Sequence, residues 1–151
     1  MSRIRKLCQD DFEIASEVLW KSFYEAEKHN HSMQGMELFR DLVSPISLAI
    51  NEFQGDIELF GAFEDGHLSA VGAVKEKCHI LMLYVHPDRQ GRGIGKALLS
   101  YLETKCETET ITVHSSDMAL SFYARFGYKK NGERTVENEL IFTPMKKTVS
   151  K

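Results

Sequence analysis

From Leu83 to Leu99 an apolar, β-prone run passes through three alternating glycines, Gly91, Gly93 and Gly95, straight into an amphipathic helical pattern. A strand, a glycine turn and a helix in direct succession make an anion-binding arrangement. Without side chains the backbone can come close to a ligand, so successive N–H groups and the positive end of the helix can face phosphate oxygens. A diphosphate is the expected ligand. Two better-known phosphate motifs are excluded by spacing. A P-loop would need glycine where Gln90 stands and Ser or Thr where Ala97 stands, and a dinucleotide fingerprint would put its third glycine on Lys96 or Leu98.

The chain has 151 residues, near the common size of one domain and long enough to bury a core without metal or disulfide staples. Its formal charge of −3 comes from interspersed acids and bases, which does not favour nucleic-acid binding. Cys8, Cys78 and Cys106 are odd in number and form no C-x-x-C pair, so reduced thiols in a cytoplasmic protein are expected. No metal site is implied. The N-terminal residues turn polar at Gln9-Asp10-Asp11 before any apolar run develops, and no segment has the pattern of a membrane span.

Periodicity predicts a short strand near residues 3–8 and a helix capped by Asp10 or Asp11, with Phe12, Ala15, Leu19 and Phe23 on one face. One or two helices follow, with a break marked by Pro45. Residues 56–63 and 68–74 read as antiparallel strands joined through Asp65-Gly66, a dipeptide suited to a type I′ turn. Residues 79–85 form a central strand, and a helix follows the glycine turn. Residues 110–114 read as a strand, a helix carries Ala119, Phe122, Tyr123 and Phe126, and the last strand covers 139–143. This order describes an α+β fold: a mixed, mostly antiparallel sheet flanked by helices.

Gln90-x-x-Gly93-x-Gly95 after Val85-x-Pro87 resembles the acetyl-CoA signature of the GNAT superfamily of N-acetyltransferases. Downstream, Ser116-x-x-Ala119-x-x-Phe122-Tyr123-x-x-x-Gly127-Tyr128 is similar to the second half of that family's CoA site. The resemblance spans roughly residues 57–147. It implies a sheet whose central strand splays from the strand at 110–114, with CoA entering the gap. It also implies acetyl transfer from acetyl-CoA to a primary amine by direct attack in a ternary complex, with a small-molecule or protein amine as acceptor and dimerisation as in relatives.

On that reading the backbone from Gly91 to Lys96, including Arg92, Gly93, Ile94 and Gly95, would hold the diphosphate with Gln90, while Arg92 and Lys96 add charge. Backbone groups of Leu83, Tyr84 and Val85 would pair with the pantetheine amides like an added strand, and the Val85 N–H could meet the thioester oxygen. Ser116 stands where many relatives carry an Asn that contacts pantetheine; it can equally cap a helix. Tyr123 would protonate the leaving thiolate, against the plainer alternative of a core tyrosine. His79 begins the central strand where histone-modifying members place a catalytic glutamate, and could remove the ammonium proton. Glu25, Glu76 and water are its rivals. His29 and His31 form an H-x-H pair with no third ligand apparent. An idle acyl-CoA-binding module and an enzyme for longer acyl groups are the alternative functions.

Overall fold

The computed structural model describes residues 2–150. The chain opens with β1 (Ser2–Lys6), followed by α1 (Phe12–Glu27), α2 (Met33–Leu42) and α3 (Pro45–Phe53). Then come β2 (Ile57–Glu64), β3 (His67–Lys75), β4 (His79–Val85), α4 (Ile94–Lys105), β5 (Thr110–Ser115) and α5 (Leu120–Arg125). Two short strands, β6 (Lys129–Lys130) and β7 (Thr135–Glu137), precede the long β8 (Leu140–Thr148).

The helices start where the sequence offers caps. Ser32 accepts from the Gly35 N–H and Ser44 from the Ser47 N–H, with Pro45 in the first turn of α3, where its missing donor is harmless. Asp11 does something other than cap α1 with its side chain. Its carboxylate accepts from the Arg5 guanidinium at 2.9 and 3.0 Å and from the Cys8 N–H at 2.9 Å, which ties β1 to the start of the helix. The arginine and these hydrogen bonds hold Asp11 well below the usual carboxylate range.

The strands lie in the order β1-β2-β3-β4-β5-β8-β6, with β7 paired to β8. All these pairings are antiparallel except that of β4 with β5. At the β2–β3 hairpin Asp65 and Gly66 have φ of 50° and 81°, the left-handed pair a type I′ turn needs. One apolar core lies between the sheet and α4–α5 and includes Phe60, Ile80, Leu98, Leu102, Ile111 and Tyr123. The other lies beneath α1–α3 and includes Phe12, Leu19, Phe23, Phe39, Leu48 and Leu59.

Two irregularities in β4 open the middle of the sheet. Its parallel pairing with β5 covers only His79↔Thr112 and Ile80↔Val113, so beyond that point the two strand edges part. Against β3 the register slips, Val74 facing Ile80 and Ala73 facing Met82, which leaves Leu81 as a bulge. Consequently Leu81 and Met82 both pack toward α1, after which Leu83 and Val85 face the α4 core and Tyr84 the α1 core.

Candidate active site in the parted sheet

A cavity of about 750 Å³ runs through the opening between β4 and β5, a volume within the usual range of small-molecule sites. At one end lies the glycine turn. Gly93 stands at the N-cap of α4 with φ +78°, and the first intrahelical bond is that of the Ala97 N–H to Gly93 O at 3.1 Å. The N–H groups of Ile94, Gly95 and Lys96 therefore have no acceptor within the helix, where its dipole is positive. Lys96, Arg89 and Arg125 bring three cations to the same lining.

Of the residues singled out from the sequence, Leu83, Tyr84, Val85, Gln90, Gly91, Gly93, Ile94, Gly95, Lys96, Ser116 and Tyr123 all line this cavity. The Gln90 amide donates to the Val85 carbonyl at 3.2 Å, fixing the turn against the end of β4. Ser116 accepts from the Ala119 N–H at 3.2 Å, so it caps the turn before α5 while also facing the cavity. Arg92 lies outside the lining: its guanidinium and that of Arg89 approach Glu64 Oε1 at 3.6 and 3.5 Å.

Tyr123 is buried, its ring held edge-on by Phe122 and Tyr128 at 5.3 and 5.5 Å. Among the described residues neither its hydroxyl nor that of Tyr84 has a hydrogen-bond partner. Burial raises the Tyr123 pKa, reinforced by nearby Tyr84, so the phenol keeps its proton at neutral pH. Tyr84 is raised likewise, by burial and then by Glu27.

The lining also includes Ser22, Glu25 and Ala26 of α1, Met118 and His114. His79 and Glu76 are not in the lining. His79 lies behind His114, ring centroids 4.7 Å apart, and its Nδ1 is 2.7 Å from Thr112 Oγ1. His31 serves as a strut: its Nε2 accepts from the Ile141 N–H at 3.0 Å, while Ser32 donates to Glu139 at 3.0 Å, fastening the α1–α2 junction to the start of β8. Among the described residues no group of three or more His, Cys, Asp or Glu side chains could hold a metal ion. Arg125 and His114 line the cavity although no local motif marks either of them. Arg125 follows Tyr123 by two positions on a short helix; His114 depends on where β5 leaves β4.

Burial, His114 and Lys75 push the His79 pKa down to about 4. An unfolded imidazole titrates near 6.5, so between those values the unfolded chain binds more protons and stability falls as pH drops. His79 lies partly in solvent, which reduces the effect to roughly 1–2 kcal/mol. Urea unfolding of wild type and His79→Gln at neutral pH and near pH 4.5 is expected to show that difference as a shallower acid loss in the variant. Parallel losses would mean that His79 titrates normally.

No helix among the described residues is long and apolar enough to cross a membrane. Among solved structures, a GCN5-related N-acetyltransferase from Rhodopseudomonas palustris matches with TM-score 0.86 and 25% identity, over 99% of this chain and 96% of that one. The PaiA N-acetyltransferase of Thermoplasma acidophilum, solved in complex with coenzyme A, matches with TM-score 0.81 and 26% identity, over 98% and 99%. The Escherichia coli ribosomal-protein-S18-alanine N-acetyltransferase shares the fold at 19% identity and TM-score 0.69, over 100% and 96%. The model of the acetyltransferase (GNAT) domain matches residues 27–149, a span that takes in the parted strands, the glycine turn and both helices beside them. By that match, this chain belongs to the GNAT acetyltransferase family.

Proposed function

We propose that the protein transfers the acetyl group of acetyl-CoA to a primary amine by direct attack within a ternary complex. One observation carries the reading: a single cavity joins the cationic N-terminus of α4, the parted edges of β4 and β5, the unpartnered phenol of Tyr123 and the α1 wall. The diphosphate would lie on the free N–H groups of Ile94, Gly95 and Lys96, with Lys96, Arg89 and Arg125 around it. Backbone groups of Leu83–Val85 would pair with the pantetheine arm as an added strand, bringing the thioester to the opening.

The amine then enters from the α1 side. Its nitrogen attacks the thioester carbon, the C–S bond breaks, and Tyr123 supplies a proton to sulfur. Holding donor and acceptor together in one channel replaces a bimolecular encounter with an oriented one. PaiA, an N-acetyltransferase solved with coenzyme A bound and matched over nearly the whole chain, supports the donor half of this reading.

The test is thiol release from acetyl-CoA across a panel of primary amines, with mass spectrometry of the products and calorimetry of CoA binding. An acetylated amine formed with stoichiometric thiol is expected. CoA binding without thiol release from any amine would assign an idle binding module, and faster release from longer acyl-CoA donors would change the transferred group.

A further inference from the structure

We propose, resting on the acetyl-transfer reading, that His114 is the base that takes the acceptor's ammonium proton and that His79 positions it. The family resemblance points first to His79, at the start of the central strand, and leaves His114, at the end of its strand, either near the acceptor or packed. In the folded chain His114 is the histidine that lines the cavity, and His79 stands behind it.

Three contacts fix this arrangement. The last β4–β5 pair is Ile80↔Val113, so His114 is the first residue of β5 beyond the point of parting. Its ring stacks on Phe142 of β8, centroids 4.0 Å apart and planes 12° from parallel, while the His79 ring meets it at 70°. His79 is itself anchored through Nδ1 to Thr112 Oγ1. Packing on two sides therefore holds the plane of His114. Among the described residues neither of its ring nitrogens has a hydrogen-bond partner, which leaves one free to accept a proton.

The electrostatic surroundings suit a neutral base. Burial and Lys75 of β3 lower the His114 pKa, Glu137 of β7 raises it, and the net direction is downward. His79 on β4, also held low, adds no positive charge at neutral pH. Glu25 of α1, which lines the same cavity and is exposed as His114 is, differs in lying 3.5 Å from Lys28 Nζ, with a cation already beside it.

Proton balance is set by these positions. An ammonium N–H bond breaks, its proton goes to the free ring nitrogen of His114 and on to water, and the lone pair released attacks the thioester carbon. On collapse of the tetrahedral adduct, the second nitrogen proton leaves in exchange for the one Tyr123 passes to sulfur. The products are an amide, a free thiol and one solvated proton.

Two probe acceptors separate a base from a packing residue. n-Butylamine is an ammonium at neutral pH and must be deprotonated before attack; hydroxylamine is already neutral. In His114→Gln, kcat/KM for n-butylamine should fall by about tenfold at neutral pH, hydroxylamine should stay within about twofold, and CoA affinity should be unchanged. His79→Gln should give a smaller n-butylamine loss and a displaced rise of rate with pH. Equal losses on both amines, no loss on n-butylamine, or a larger selective loss in His79→Gln would each overturn the assignment. Wild-type protein that binds CoA yet releases thiol neither with these two amines nor with any member of the primary-amine panel would instead overturn the acetyl-transfer reading, and this assignment with it.

Discussion

Replacing Tyr123 with phenylalanine is expected to lower turnover by about 10²-fold while leaving CoA affinity within about a factor of two. The substitution removes one oxygen and keeps the ring that packs edge-on against Phe122 and Tyr128. Because the hydroxyl has no hydrogen-bond partner among the described residues, its loss breaks no internal bond and should leave the melting temperature close to that of wild type. Burial keeps the phenol protonated, which is the state a donor to sulfur requires. Steady-state kinetics and calorimetry on the same preparation decide the matter. Wild-type turnover in the variant would make Tyr123 a core residue and water the proton source.

Gly93→Val should weaken CoA binding tenfold or more, about 1.4 kcal/mol. At φ +78° an L-residue costs roughly 1–2 kcal/mol, and a β-branched side chain tolerates the position least. A Cβ built at Gly93 meets no protein atom within 4 Å, so the fold itself has room for it. The added bulk would instead stand beside the free N–H groups of α4. Gly93→Asn separates strain from bulk, since Asn accepts the left-handed conformation far better. Weak binding in both variants points to bulk, and weak binding in valine alone points to strain. Undiminished affinity in Gly93→Val would take the turn out of the cofactor site.

These two positions were also the easiest to find from sequence, for a physical reason. The glycine turn and the Phe122-Tyr123-x-x-x-Gly127 segment are local chemistry: a backbone that must take positive φ, and a helix whose residues share one face. The mostly antiparallel sheet between two helical layers followed from alternation and turn signals in the same way. What could not be read depends on partners distant in sequence. The bulge at Leu81 exists because β3 slips against β4, and no feature of His79–Val85 alone announces it. The sequence places the last strand at residues 139–143, yet β8 runs from Leu140 to Thr148 with Pro144 opposite His114. Likewise the exposure of His114 to the cavity is set by where the β4–β5 ladder stops. From sequence His79 and His114 are two histidines 35 positions apart; the sheet makes them neighbours.

The parting of β4 from β5 places unpaired strand edges inside the sheet, flanked on both sides by ladders that are themselves complete. An edge at the rim of a sheet is a template for other chains, and proteins commonly blunt it with charge, proline or a bulge to avoid aggregation. Here steric seclusion does the blunting. Helices pack on both faces of the sheet, α1–α3 on one and α4–α5 on the other, so whatever pairs with these inner edges has to fit the cavity between them. The same opening thus sorts visitors by cross-section before any chemistry is tested.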